Sequence, residues 1–392
     1  MSLKKHIMTN IELIVSDFKQ ISDPRKAQGK RYKLHNILTI MVLSMLSGCD
    51  DFESMALFCK EKSDFLIKNG LLDGKNYPSH DLFRYIMIIL TPDTLSKILY
   101  SWLEHIELLE PVASELAPKL IHIDGKVLRA TRTSEHSKTG LLVINAYLSN
   151  RQVTIGQTLA DKKSCEKKAI PLFINDLHLE GAIVTIDAIA TMPLVATSII
   201  GKKADYILAL KKNNKLFYQE VSDFFRCFSD TALIVDVSQT VDKQGLRTDT
   251  RTCSIITDLR FFPDAANWKN LKTLVCVKRE RELNGKKTLE IHYYLTSLAA
   301  NAKMLLQLIR KHWSIENELH WHLDVSFNED KQRLREKNAV LNLAIFRRFC
   351  LALLKKSESL ESIKTQRLAF AWNDESLVQF INSLIINKLY LS

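Results

Sequence analysis

Three acidic residues stand where chemistry on phosphate could be organised. Asp124 closes the apolar run Leu120-Ile121-His122-Ile123, Asp187 closes Ala182-Ile183-Val184-Thr185-Ile186, and Glu316 lies within His312-Trp313-Ser314-Ile315-Glu316-Asn317. Carboxylate oxygens are the donors magnesium takes, with water and substrate phosphate filling the rest of a near-octahedral shell. Two such ions about 3.5–4 Å apart clamp the attacking and leaving oxygens of an in-line phosphoryl displacement. In that arrangement Asp124 bridges two Mg2+ ions, for which Mn2+ can substitute, and Asp187 and Glu316 each complete one. No protein nucleophile is then needed.

Each carboxylate also has a plainer reading. Asp124 could end a strand and start a turn at Gly125, and Asp187 could cap a helix. Glu316 falls on the same helical face as Trp313, Leu319 and His320, so it reads as a carboxylate on a buried stripe, which must be paired, protonated or bound to metal. Arg310, Lys311 or a histidine are the pairing candidates. His312 and His320 flank Glu316 four residues either side, but the run lacks the His-Glu-x-x-His spacing of zinc proteases. The two histidines read instead as phosphate contacts or partners of the metal ligands.

The elements that must position these residues follow from periodicity. Up to about residue 115 the chain reads as helical, with apolar residues three and four apart at Ile37, Ile40, Met41, Leu43 and Leu46, and at Leu82, Ile86, Ile89 and Leu90. Breaks fall at Asp23-Pro24-Arg25, Asp73-Gly74 and Tyr77-Pro78-Ser79, with Ser79 a helix-capping candidate. Strands are expected at Leu120–Asp124, Leu141–Leu148 and Val153–Ala160, then a helix over 164–179, a strand at Ala182–Ile186, a helix at Pro193–Gly201 and a strand at Tyr206–Leu210. Residues 215–300 read as a mostly β insertion. Helical spacing returns from Ala302 to Leu323, and a last helix is expected near Asn338–Lys356.

Three strands, a helix, a strand, a helix and a strand is the order of a ribonuclease H-like α/β fold, in which the first and fourth strands lie side by side. The organisation expected is an all-α N-terminal domain, 1–115, followed by a ribonuclease H-like catalytic domain, 116–392, carrying the β insertion. Trp321 and Phe327, just beyond Glu316, are expected in the core rather than stacked on a displaced base.

Charge supports a polyanionic partner. The net charge of +11 is uneven: residues 1–33 hold 8 basic and 3 acidic side chains, 34–118 hold 6 and 12, and 119–392 hold 41 and 29, so the region with the carboxylates is basic. Candidate DNA contacts are Arg25, Lys26, Lys30 and Arg31 in the N-terminal basic run, and Lys126, Lys163, Lys211, His312, His320 and Arg333 near the carboxylates. Seven scattered cysteines, with no Cys-x-x-Cys pair, argue against a disulfide framework and a zinc site. The longest apolar stretch, near Ile37–Cys49, is about half the ~20 residues a membrane span needs, and Met1-Ser2-Leu3-Lys4-Lys5-His6 has no apolar run behind it, so neither secretion nor membrane insertion is expected. A protein of the reducing cytoplasm is the expectation.

The motifs together resemble bacterial insertion-sequence transposases of the DDE class, in the ISAs-type, H-repeat-associated family. The carriers are Asp23-Pro24-Arg25 with Gly29-Lys30-Arg31-Tyr32, Pro78-Ser79-His80-Asp81, Ile123-Asp124-Gly125-Lys126, Lys163-Ser164-x-Glu166, Val184-Thr185-Ile186-Asp187-Ala188, Asp205-Tyr206-x-Leu208-Ala209-Leu210-Lys211, and the long run from His312-Trp313 to Leu323-Asp324-Val325. The resemblance implies that Asp124, Asp187 and Glu316 form a DDE triad, with the β insertion between the last two. It also implies an N-terminal domain that recognises element ends, and double-stranded DNA as the partner of a dimer or larger assembly. The activity implied is magnesium-dependent hydrolysis at insertion-sequence ends and transfer of the 3′-hydroxyl into target DNA. The chain departs from its relatives at Ala190 and Met192, where they carry Gly and Gln, and at Lys212-Asn213-Asn214, where they carry Gly-Asn-Gln. Around the glutamate, Ile309, His312 and Leu323 replace Tyr, Arg and Lys. These departures motivate an alternative, a family member that binds DNA without cutting it; a nuclease without strand transfer is a third reading.

Overall fold

Lys119–Leu128 (β1), Leu141–Leu148 (β2) and Val153–Ala160 (β3) form an antiparallel meander, and Ala182–Ile186 (β4) returns parallel to β1. Asp205–Leu210 (β5) adds in parallel to β4. The computed structural model describes residues 10–26, 30–105, 118–132, 140–160, 166–228, 233–299, 301–357 and 359–384. Parallel pairing of β1 with β4 puts His122 beside Thr185 and Ile123 beside Ile186, so Asp124 and Asp187 follow at the next level of adjacent strands. Strands β1 and β4 therefore neighbour one another as expected. One detail is corrected: Asp124 does not end its strand. β1 runs four residues further, through Gly125 and Lys126, with Asp124 opposite Asn145 of β2.

The expected β insertion is not a separate unit of the sheet. After a helix at Lys215–Cys227 (α9), strands Asp236–Gln244 (β6), Arg247–Ile256 (β7), Thr273–Leu283 (β8) and Lys286–Thr296 (β9) continue the same sheet, β9 pairing antiparallel with β5. The order is β3-β2-β1-β4-β5-β9-β8-β7-β6 in one nine-stranded sheet. Helices Glu166–Asp176 (α7), Pro193–Gly201 (α8) and α9 cover one face, burying residues such as Ile170, Ile174, Val195, Ile199, Phe217 and Val221. The other face curls round Ala302–His312 (α10), whose Leu305, Leu306 and Ile309 meet Leu120 of β1, Ile183 of β4 and Cys253 and Ile255 of β7. Asn301 caps α10 by accepting from Met304 N at 2.8 Å.

Among the described residues, those before β1 hold six helices and no strand: Asn10–Phe18 (α1), Leu34–Leu46 (α2), Phe52–Glu61 (α3), Ser63–Lys68 (α4), His80–Ile89 (α5) and Pro92–His105 (α6). Ser79 caps α5 as its position predicts, accepting from Leu82 N. Twelve of the thirteen residues of α2 are buried, so it has no solvent stripe and must be enclosed on every side. The enclosure comes partly from the far end of the chain: Trp321–Val325 (α11), Lys337–Lys356 (α12), Ile363–Trp372 (α13) and Asp374–Ser383 (α14) share one apolar core with α1–α6. Periodicity located α12; α13 and α14 were not anticipated.

Buried charge ties these layers together. Arg348 on α12 donates to Glu329 Oε1 at 2.7 Å and to Asn145 of β2 at 2.5 Å, and Glu329 is fully buried. Burial works against Glu329's charge, but Arg348 and Arg347 outweigh it and hold the carboxyl below its usual range. Arg367 of α13 reaches Asp50 at 2.5 Å and the Met45 carbonyl at 2.7 Å, with its guanidinium 4.1 Å from the Phe327 ring centroid. Phe327 is thus core, as expected, whereas Trp321 is half exposed. Removing one member of a buried pair leaves an uncompensated charge, so Arg348→Met is expected to lower stability by about 3–5 kcal/mol, with part recovered in Arg348→Met/Glu329→Gln. Urea unfolding of the three proteins checks this; a single variant within ~1 kcal/mol of the wild type would contradict the pair's role.

Candidate active site

Asp124, Asp187 and Glu316 line a single cleft of about 180 Å3, together with Thr185, Lys211, His292, Tyr294, Ile309, His312 and Trp313. The sheet supplies the first two as neighbours on adjacent parallel strands. Glu316 arrives from the opposite side on a segment whose geometry the sequence pattern did not reveal. Ile315–His320 is a π-helical turn, in which Trp321 N donates to the Glu316 carbonyl five residues back. Such a turn holds an extra residue and rotates the faces relative to a 3.6-residue period. Ile315 and Leu319 consequently face the core, while Glu316 is exposed to the cleft and Trp313 is about half exposed at its rim. The expectation of a glutamate on a buried stripe is corrected, and no ion pair of Glu316 is present among the described residues.

The turn is held from behind. Tyr147 Oη of β2 donates to Glu318 Oε2 at 2.9 Å, and Lys355 Nζ donates to the Glu318 carbonyl at 2.6 Å. In front, Lys126 is buried and spans from β1 to the residues after the π turn, bonding Asp324 at 2.5 Å and Asp330 at 3.3 Å. Lys126 lies two residues from Asp124 and so shares its face of β1. It is a cross-link between the strand of one carboxylate and the segment carrying another, not an exposed DNA contact as first expected.

Electrostatics single out Asp124. Burial, then the charges of Asp187, Glu166 and Glu316, push its carboxyl up to about 7, against a backbone hydrogen bond from Gly125 N–H. Glu166 is the member the triad reading omitted: it is buried at the start of α7, close enough that a Cβ on Gly125 would stand 2.9 Å from its Oε1. The absence of a side chain at Gly125 is what admits it. Asp187 differs. Burial raises its pKa, but Ala188 N at 2.6 Å and Lys211 Nζ at 3.1 Å, both on Oδ1, bring it below the ordinary value. The helix-cap reading of Asp187 is thus partly realised, at a short 3-10 turn over Ala188–Ala190. Glu316 is raised by burial and by Asp187, with Lys211 opposing.

The histidines are neutral supports. Thr185 Oγ1 sits between His122 Nδ1 at 2.5 Å and His312 Nδ1 at 2.7 Å. One hydroxyl hydrogen cannot serve both rings, so at least one imidazole carries its proton on Nδ1. Burial lowers His122 to about 3 and His312 to about 4. His320 Nδ1 stands 3.6 Å from Asp124 Oδ2, yet burial and Lys126 lower it to about 3, so the contact is dipolar rather than an ion pair. His312 and His320 point to different partners and do not form the paired ligands a zinc site would use.

The remaining candidates divide by exposure. Lys26, Lys30, Arg31, Lys211 and Arg333 are exposed. Arg25 is buried, donating to Asp23 at 2.8 Å and to the Tyr32 carbonyl at 2.7 Å, which removes it from the DNA contacts expected of the basic run. Lys163 lies outside the described residues. The departures from the family pattern are accommodated: Ala190 is not among the residues with positive φ, and Asn213 and Asn214 donate to the Ala188 and Thr191 carbonyls, bracing the turn after Asp187.

The donor chemistry of the cleft fits a hard divalent cation, because three further carboxylates, Asp187, Glu166 and Glu316, crowd Asp124, and the exposed Lys211 pairs with just one of them, Asp187. In their present rotamers, no three His, Cys, Asp or Glu side chains among the described residues are placed to hold an ion.

A mixed α/β chain whose central strands and one helix deliver two aspartates and a glutamate to one cleft is a member of the transposase DDE domain family: that family's profile matches residues 115–354, and the DDE_Tnp_1-associated profile matches 15–103. Among individual proteins, it is 29% identical to "Putative transposase YncI" of Escherichia coli O157:H7 over 93% of both chains. It is 28% identical to "H repeat-associated putative transposase YhhI" of Escherichia coli K12, over 86% of this chain and 87% of that one. A piggyBac transposase synaptic complex with hairpin DNA aligns at 12% identity and TM-score 0.43, covering 97% of this chain and 79% of that one, too distant a likeness to carry an argument. Among the described residues no helix is long and apolar enough to cross a membrane.

Two outcomes follow. Because the folded-state pKa of Asp124 lies above 3.8, the metal-free protein loses stability from this group as pH rises from about 4 to above 7, and Asp124→Asn is expected to be more stable than the wild type at pH 8 by on the order of 1–3 kcal/mol, with no gain at pH 4. Chemical denaturation at the two pH values checks the sign. Lys126→Met is expected to fold but to reduce catalysis at least tenfold by releasing the β1 to π-turn spacing; unchanged turnover would remove Lys126 from the positioning of the site.

Proposed function

We propose that the chain is a DNA transposase that hydrolyses phosphodiester bonds at the ends of its element and joins the freed 3′-hydroxyl to target DNA, with Asp124, Asp187 and Glu316 as its catalytic carboxylates. The observation that carries the reading is their approach to one cleft from two adjacent strands and an opposing π turn, in a chain of the DDE family. Magnesium held by these three residues would polarise the scissile phosphate and lower the pKa of the attacking water or hydroxyl. The chain's own part is positional. Asp187 stays ionised beside Lys211, whose exposed ammonium faces the cleft and suits a phosphate oxygen. Thr185 fixes His312, so this neutral ring orients without competing for the metal as a cation. Trp313, half exposed at the rim, offers an aromatic face to a base near the cut.

The same reading assigns residues 1–115 to recognition of element ends, through Lys26, Lys30 and Arg31, whose charged groups remain in solvent, and 116–392 to catalysis in a ribonuclease H-like framework. The strand order β3-β2-β1-β4-β5 supports that framework. Arg333 extends the basic surface beyond the π turn. Pairing two DNA ends calls for at least two copies, acting on nucleoid DNA in the bacterial cytoplasm.

The test is a strand assay on a duplex bearing the inverted repeats that flank the gene, with Mg2+ or Mn2+. The wild type is expected to nick at the repeat ends and give joined products. Asp124→Asn, Asp187→Asn and Glu316→Gln should each lower nicking by about a hundredfold or more while keeping metal-free DNA binding. Binding without nicking by the wild type would replace this reading with that of a DNA-binding family member that does not cut, and cleavage without joined products with that of a nuclease.

A further inference from the structure

Beyond the cleft, on the same concave side of the sheet, one carboxylate collects four arginines. Asp249 of β7 is buried and accepts from Arg247 and, at 2.8 Å, from Arg281 Nε; Arg251 Nη2 lies 3.3 Å and Arg279 Nη2 3.6 Å away. The strand register produces this. Arg247, Asp249 and Arg251 alternate onto one face of β7, and β8 sets Arg281 opposite Asp249 and Arg279 opposite Arg251. Towards the middle of the molecule the same face continues as Cys253, Ile255, Val275 and Val277, packed on α10. The array extends onto α10 itself: Arg310 bonds Asp242 at 2.8 Å, and Asp242 also takes Arg251 at 2.5 Å. His312 follows Arg310 by two residues and lines the cleft, as does His292, two residues along β9 from the Glu290 that pairs with Arg279.

A carboxylate offers about four lone-pair sites, whereas four guanidiniums carry about twenty N–H donors, so most of the donors are left for another acceptor. On this face five arginines meet three carboxylates, Asp242, Asp249 and Glu290. The side chains of Arg247, Arg281 and Arg310 are each 34–41% exposed. Asp249 holds the guanidiniums in place before any partner arrives, which reduces the rotamer entropy lost when they bind. Planar forks of fixed orientation match phosphate oxygens two at a time.

We infer that this array is a preorganised binding surface for the phosphodiester backbone of duplex DNA flanking the cleft, contacting phosphates rather than base edges. The inference rests on the proposal that DNA is the partner of the cleft. It assigns to strands β6–β9 the task of holding the helix beside the cut, with Asp249 acting through the arginines it orients.

The experiment measures binding of the full-length protein to a labelled non-specific duplex, without divalent metal, between about 50 and 200 mM salt. Arg279→Gln/Arg281→Gln is compared with Lys278→Gln/Lys287→Gln, a charge-matched change on the opposite face of the same hairpin. The arginine variant is expected to lower the slope of log affinity against log salt by about 2 and to weaken binding at least tenfold near 200 mM salt, with the lysine variant close to wild type. Thermal melting confirms folding. Should the arginine pair fail to fold, Arg247→Gln/Arg310→Gln, both more exposed, replaces it with the same expected result. Equal effects of the arginine and lysine variants, or no effect of either on a wild type that binds, overturns the inference alone. A wild type that binds no duplex at all overturns the DNA partner itself.

Discussion

Asp124 carries its charge in surroundings that oppose it. The parallel register of β1 and β4 places Asp187 at the neighbouring level, Gly125 lets Glu166 approach, and the π turn presents Glu316 across the cleft. A protein gains nothing in stability from gathering like charges in a partly buried space. The rest of the site reads as a response to that crowding. Lys211 neutralises one carboxylate, neutral histidines fill the space where cations would otherwise bind the acids, and Lys126 fastens the strand to the opposing segment. The repulsion is compatible with a stable fold because it is confined to one cleft.

Rigidity round the cleft comes from polar links that cross between layers. Tyr147 and Lys355 hold Glu318, Arg348 holds Glu329, and Arg367 connects Ser326 and Asp50 with the carbonyl of Met45. Each of these bonds joins an element from a different part of the chain. Apolar packing alone sets approximate distances, whereas buried ion pairs with fixed hydrogen bonds tolerate little sliding. The carboxylate positions are therefore set by the helical layers as well as by the sheet.

Much of this was legible in the residues. Period-2 and period-3.6 patterns located β1 to β5 and the helices between them, and strand order alone put Asp124 beside Asp187. What could not be read was partnership. Lys126 and Arg25 look like solvent cations, yet Asp324, Asp330, Asp23 and the Tyr32 carbonyl draw them inside. Gly125-Lys126 looks like a turn because a buried lysine interrupts the apolar run, and that made β1 seem short. Glu316 appeared to be buried because a helix period of 3.6 was carried through a π turn, a hydrogen-bond pattern that leaves no compositional trace. Strands β6–β9 were recognised as strands, but their pairing onto β5 depends on contacts between residues some 85 apart, such as Leu208 with Leu295, which no local pattern encodes.

The shared core of α1–α6 with α12–α14 bears on how the molecule is made. On the ribosome α2 emerges early with apolar residues on every side, and part of its enclosure, from α12 and α13, is translated only after the entire sheet. Until then the nascent amino-terminal segment has no complete shelter for that surface, so its protection depends on chaperones or on transient contacts within the half-made chain. A premature stop before α12 leaves the amino-terminal helices exposed as well as deleting the carboxy-terminal ones, which directs such fragments towards aggregation and proteolysis rather than towards a free DNA-binding piece.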